Sequence, residues 1–287
     1  PIGKVTLLAG DPGLGKSYVT LDLASQVSRG LLPPLGSEGA DGLHGDVMIL
    51  SAEDDVQDTI RPRLERMMAD MSRVHVLRGL EWEVDREKKL LLCRLDRDLG
   101  AVARAMEKLE RPRLLIIDPI SAYLGEKDGN SNTEVRDLLA HLHAFAARFH
   151  IACICVTHLN KNGQGRAMYR AMGSLAFAAA ARSVLLVAKH PDDPRTRVIA
   201  TVKNNLTAEA KTIGYRIEDG RVRWLEGEVR LTADDIEGFD GSGSGGGGGG
   251  GSGGGEKSDA LEEAADWLSD RLGAGPQAAK ELLRAAE

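Results

Sequence analysis

An α/β protein, built on a central and mostly parallel sheet flanked by helices and extended by antiparallel strands, is what the 287-residue sequence predicts. Three observations carry that reading. A glycine-rich turn, Gly10-Asp11-Pro12-Gly13-Leu14-Gly15-Lys16-Ser17, joins an apolar, β-branched run to an amphipathic stretch. Short apolar runs then alternate with segments of helical spacing as far as His158, the pattern of strand–helix–strand units. Beyond Arg182 four more apolar runs follow with little helix between them, which is how antiparallel strands read.

The first strand is Val5-Thr6-Leu7-Leu8-Ala9. After the turn, Val19, Leu23 and Val27 recur every four residues and predict a helix over 18–29, ended by Gly30 at the position that favours a left-handed residue. A Pro/Gly-rich loop over 31–45 leads to Val47-Met48-Ile49-Leu50 and the polar run Ser51-Ala52-Glu53-Asp54-Asp55. An apolar run so bounded reads as a buried parallel strand. Helical spacing returns over 56–70 and 99–109, with a short strand over 74–77 between them. Leu114-Leu115-Ile116-Ile117-Asp118 is the next buried strand, followed by a helix over 133–149 and a strand over 151–156 that ends at Thr157-His158. The strand-rich tail comprises 183–188, 198–202, 212–217 and 222–224.

Residues 241–255 are only glycine and serine, a composition that behaves as a flexible coil spanning roughly 20 Å on average. It divides the chain into an α/β domain over 1–240 and a tail over 256–287; natural low complexity and an engineered splice both fit it. In the tail, Ala260, Leu261, Ala264, Ala265 and Leu268 predict one helix and residues 277–285 a second, too little for an independent core. The tail reads as a truncated module similar to the first helices of a winged-helix domain. Pro1 opens the chain with no methionine and the first strand follows almost at once, so an N-terminal part is expected to precede it.

Composition bounds the function. Hydrophobic residues make up 42% and charged residues 28%, and the net charge of −6 argues against non-specific coating of nucleic acid while leaving room for a local basic loop. Cys93, Cys153 and Cys155 form no metal-ligand pattern; a strand puts Cys153 and Cys155 on one face, as buried thiols of a reducing compartment. No uncharged apolar stretch approaches the ~18 residues that a membrane span requires, and no signal peptide is present, so a cytoplasmic protein without a membrane partner is expected.

The turn fits G-x-x-x-x-G-K-[ST], a P-loop, in the strand–loop–helix context the pattern requires. Glycines let successive backbone N–H groups curl toward a phosphate, and the helix N-terminus adds free N–H groups and partial positive charge. Gly10, Asp11, Pro12, Gly13, Leu14, Gly15, Lys16 and Ser17 are therefore the expected cradle, with Lys16 on the β- and γ-phosphates and the Ser17 hydroxyl on Mg²⁺, so ATP and Mg²⁺ are expected together. Asp118 ends an apolar strand about a hundred residues after Lys16, where a Walker B carboxylate would hold the metal through water. Glu53 closes an inserted strand and is expected to orient and deprotonate the attacking water, with Asp54 or Asp55 capping the next helix. His158 lies at the polar tip of its strand, where it can sense the γ-phosphate; the other six histidines have no better role than backbone-satisfied surface groups. The loop over 160–170 carries Lys161, Arg166 and Arg170 with Tyr169 and no acid, a mixture of cations and a stacking ring that suits single-stranded nucleic acid.

The P-loop, Ser51-Ala52-Glu53-Asp54, Leu115-Ile116-Ile117-Asp118-Pro119, Thr157-His158 and Val202-Lys203-Asn204-Asn205, in this order, resemble the RecA-like ATPases of the hexameric replicative helicase group, most of all the plasmid and phage RepA-type helicases. The resemblance spans 3–219 and implies a ring, a hexamer in the family's usual form, with ATP at each interface, Glu53 as base and His158 as sensor. Arg170 matches the family's arginine finger and Lys203 its interface lysine; the second cation that many relatives carry two residues later is here Asn205. Loops over 122–132 and 160–172 would face a central DNA channel. The function this implies is an ATP-driven motor on single-stranded DNA. Its rivals are a RecA-like ATPase switch that regulates a protein partner, and a fragment that binds nucleotide but turns it over poorly.

Overall fold

The structure, a computed structural model, describes residues 1–31, 43–84, 87–127, 131–158, 177, 181–205, 211–227 and 229–237. All of them lie in one compact unit, Pro1–Ser242; the glycine/serine linker over 241–255 and the tail over 256–287, with the two helices expected in it, lie outside the described residues.

Among the described residues, β1 (Lys4–Gly10), α1 (Lys16–Arg29), β2 (Asp46–Ser51), β3 (Val74–Val76), β6 (Pro112–Asp118), α4 (Asn132–Phe149) and β7 (Ala152–His158) fall where the periodicity predicts them. The tail strands β8 (Ser183–Lys189), β9 (Arg197–Asn204), β10 (Ile213–Glu218) and β11 (Arg221–Trp224) do so as well. Two predicted helices are shorter than expected. The stretch over 56–70 is a π-helical turn, Val56–Ile60, that runs into α2 (Arg61–Arg66); Met68, with φ at 60°, has left the helix. The stretch over 99–109 is α3 (Leu99–Met106). A hairpin of β4 (Leu80–Val84) and β5 (Glu87–Leu91), a 3₁₀ turn (Ile120–Tyr123) and α5 (Ala233–Glu237) were not expected.

Nine strands form one sheet in the order β11-β10-β9-β8-β1-β7-β6-β2-β3. From β8 to β3 every pairing is parallel, and from β8 outward through β9 and β10 to β11 every pairing is antiparallel, so the sheet has the expected parallel body and antiparallel extension. Period-2 alternation divides each central strand between two cores. Leu7, Leu50, Leu115, Ile117, Cys153 and Cys155 face α3 and α4, while Leu8, Ile49, Leu114 and Ile116 face α1 and α2. Cys153 and Cys155 thus share a face as expected, with their sulfurs 3.8 Å apart and both side chains in the core. A cavity of about 430 Å³ lies between the π-helical turn and the edge strand β3. Among the described residues no helix is long and apolar enough to cross a membrane.

Candidate nucleotide-binding site

Register places the functional ends of four parallel strands side by side. Gly10 pairs with His158 across β1 and β7, and Ser51 pairs with Asp118 across β2 and β6. These are carboxyl ends, where open α/β sheets hold ligands. The P-loop leaves β1 at Gly10, Glu53 follows β2 by two residues, and the N–H of Ala52 bonds to the Asp118 carbonyl at 3.1 Å, tying the Glu53 turn to β6.

The P-loop is shaped by what surrounds its glycines. A Cβ on Gly10 would stand 2.6 Å from the Val187 carbonyl oxygen on β8, so a larger residue cannot sit there without moving the backbone. Gly15 has φ at 88° and caps α1 with no side-chain hydrogen bond, which leaves the first N–H groups of the helix without side-chain partners. Lys16 is 4% exposed, and its ammonium donates to the carbonyls of Gly10 at 2.7 Å and Asp11 at 2.9 Å. Burial lowers its pKa, and the carboxylates of Asp118, Asp11 and Glu53 push it back up.

His158 joins the two halves of the site. Its Nδ1 is 3.3 Å from Lys16 Nζ and its Nε2 is 3.5 Å from Glu53 Oε1. An ammonium has only donors, so Nδ1 accepts and a neutral ring carries its proton on Nε2, toward Glu53. The three residues expected from sequence to sense the terminal phosphate, anchor it and activate the attacking water are therefore neighbours.

The acidic trio divides its work. Asp55 caps the π-helical turn, its Oδ1 accepting from the N–H groups of Gln57 at 2.7 Å and Asp58 at 3.0 Å, and those bonds hold its pKa down. Asp54 is paired with Arg63 at 2.9 Å. Arg63 also lies over the ring of Tyr18 at 4.5 Å, so one guanidinium clamps the Glu53 turn to the first turn of α1. Sequence reading did not single out Arg63. Nothing in a helical pattern distinguishes it from Arg61 or Arg66.

Asp118 is 8% exposed, and burial raises its pKa, with Glu53 and Asp54 adding to the rise. The Ser17 hydroxyl, hydrogen-bonded to it, and the charge of Lys16 oppose that rise. A buried carboxylate beside a hydroxyl and two further acids fits a divalent cation. Mg²⁺ takes one or two protein ligands plus phosphate and water, and a carboxylate with a hydroxyl hydrogen-bonded to it is such a pair. Ser17 and Asp118 are the residues that would hold it. Because the folded pKa of Asp118 lies above the unfolded one, its charge costs stability at neutral pH, and that cost vanishes below the unfolded carboxylate value of about 3.9. Asp118→Asn is therefore expected to raise the thermal midpoint of the nucleotide- and metal-free protein at pH 7, a gain that shrinks as the pH falls toward 4. A midpoint that drops at pH 7 would count against the burial argument.

The remaining expected residues are not gathered here. Lys203 pairs with Val184, which pairs with Leu7 three residues before Gly10, so it sits roughly 10 Å down the sheet from the P-loop edge. Lys161, Arg166, Tyr169 and Arg170 lie outside the described residues. In the described part of the loop over 122–132, Glu126 is bound by Arg94 at 3.0 Å and Lys127 is paired with Asp137.

Residues 1–164 match the family model described as an AAA domain, which takes in the P-loop, Glu53, Asp118 and His158. The chain belongs to this AAA domain family. With its sheet order and P-loop, the AAA domain is a RecA-like P-loop ATPase by fold. Among curated proteins it is 27% identical over 164 residues to the DNA repair protein RadA of Streptococcus pneumoniae, covering 56% of this chain and 31% of the relative. It is 30% identical over 167 residues to the DNA repair protein RadA of Mycobacterium tuberculosis, covering 56% of this chain and 28% of the relative. The AAA domain thus spans less than a third of the length of these relatives.

Proposed function

We propose that this AAA domain is the ATP-hydrolysing core of an oligomeric motor that moves on single-stranded DNA, a helicase of the RepA type. The observation that carries the reading is the position of His158, within reach of both the P-loop lysine and Glu53. A group so placed meets the γ-phosphate end of the site on both sides. It ends β7, so it can pass the loss of that phosphate to the sequence that follows, where the cations Lys161 and Arg166 and the ring of Tyr169 suit a single strand. The similarity to DNA repair proteins supports DNA as the polymer.

In this reading the P-loop amides and Lys16 hold the triphosphate, and Glu53 orients a water and takes its proton. Ser17 and Asp118 would hold Mg²⁺, which when bound would neutralise charge at the phosphates. Arg170 and Lys203 act on the nucleotide of the next subunit in a ring, which accords with the distance of Lys203 from the P-loop of its own chain.

A single test separates a motor from a switch. Single-stranded DNA is expected to raise the ATPase rate several-fold, and the paired change of Lys161 and Arg166 to alanine should remove most of that stimulation and flatten the dependence of DNA affinity on salt by up to two phosphate contacts. A rate indifferent to DNA would transfer the reading to an ATPase switch acting on a protein partner.

A further inference from the structure

The antiparallel extension reaches back to the P-loop. β10 is separated from β1 in the sheet by β9 and β8, yet the hydroxyl of Tyr215 donates to the carbonyl of Leu14 at 2.8 Å across 201 residues of sequence. Tyr215 is fully buried, and burial raises its hydroxyl pKa further, so it remains a donor. Two residues along the same strand, Ile217 packs on Gly15 so closely that a Cβ there would run into its Cδ1. The ring of Tyr215 packs on Trp224 at 5.6 Å, and Trp224 Nε1 donates to Asp22 on α1 at 2.8 Å.

A trans peptide unit is planar, with its C=O and N–H pointing in opposite directions. The Leu14 carbonyl and the Gly15 N–H belong to one such unit. Holding the carbonyl outward on Tyr215 therefore holds the Gly15 N–H inward, toward the side of the turn where phosphate oxygens are received. Without that hold the unit resists rotation poorly, since turning it changes φ of Gly15, a residue that tolerates either sign.

We propose that Tyr215 is a positioning residue for nucleotide binding, a latch that fixes the Leu14–Gly15 peptide plane so that the Gly15 N–H faces the triphosphate. The inference rests on the P-loop as the nucleotide site and adds to it a residue outside the matched AAA segment. The ligand class is set by the donor it orients, an anionic polyphosphate rather than the base or sugar.

Tyr215→Phe keeps the ring against Trp224 and removes only the hydroxyl. Loss of one neutral hydrogen bond corresponds to roughly a three- to tenfold weaker Kd for Mg·ATP. Trp224→Phe is the comparison: it keeps a ring beside Tyr215 but loses the bond to Asp22, so it loosens the ribbon while sparing the latch, and its Kd should stay within about 1.5-fold of wild type. In ¹⁵N-labelled protein the Gly15 amide of Tyr215→Phe should broaden or double, reporting exchange between two peptide orientations, while that of Trp224→Phe stays a single resonance. Equal losses of affinity in both variants, or a Tyr215→Phe protein with wild-type Kd and an unchanged Gly15 signal, overturn the latch while leaving the P-loop assignment intact. A wild-type protein that binds no Mg·ATP overturns both.

Discussion

Lys16→Ala is expected to abolish ATP hydrolysis and to weaken Mg·ATP binding by roughly ten- to a hundredfold. Lys16 is the cation that burial, the P-loop carbonyls of Gly10 and Asp11 and the ring of His158 all converge on. It faces three carboxylates, Asp118, Asp11 and Glu53, whose charges raise its pKa against the cost of burial. A triphosphate brings still more negative charge to the same space. Without the ammonium, repulsion from those acids is no longer offset, and one or two charge-assisted hydrogen bonds, each worth about 1.5–3 kcal/mol, are lost. Lys16→Met, which keeps the length of the side chain, should fail in the same way, separating charge from packing. Titration with a fluorescent nucleotide and a steady-state turnover assay read both effects. Unchanged affinity with full turnover would refute the P-loop assignment.

The parts of the fold that were legible in the sequence are those whose local pattern and tertiary role agree. β1, β2, β6 and β7 read as apolar runs because both of their faces are covered, and each leads straight into the site: β1 into the P-loop at Gly10, β2 through Ser51 to Glu53, and β6 and β7 onto Asp118 and His158. The β4–β5 hairpin gave no such signal. Its second strand, Glu87-Lys88-Lys89-Leu90-Leu91, is led by residues of low strand propensity, and Leu90 and Leu91 are exposed, so neither alternation nor a buried run marks it. The helix expected over 56–70 ends early, at Arg66, for a different reason. Apolar spacing continues through Met67 and Met68, but Met67 packs in the core while the backbone turns at Met68, a choice set by tertiary contacts.

The site divides in the same way. Lys16, Ser17, Glu53, Asp118 and His158 were legible as one candidate group because each lies at or just beyond a strand end, and parallel register brings those ends together. Arg63 and Tyr215 could not. Their partners, Tyr18 and Asp54 for one and Leu14 for the other, depend on how α2 and β10 lie over the P-loop. That packing has no local sequence signature.

Glu53→Gln is expected to bind Mg·ATP with wild-type affinity and to hydrolyse it roughly a hundred- to ten-thousandfold more slowly. The amide keeps the shape of the side chain and its approach to His158 Nε2, 3.5 Å away, but it cannot take a proton from water. Glu53 is well suited to the task among the three neighbouring acids because the other two are engaged. Asp55 is committed to capping the π-helical turn, and Asp54 to Arg63. Glu53 instead has 60% of its side chain exposed at the mouth of the site, where a water can reach it. Asp54→Asn should therefore lose part of the Arg63 clamp and a modest share of turnover, with affinity little changed. Single-turnover hydrolysis after mixing protein with Mg·ATP distinguishes the two variants, since it reads the chemical step apart from product release. If Asp54→Asn is the inactive protein and Glu53→Gln turns over normally, the base is Asp54, and Arg63 becomes the group that holds it in place.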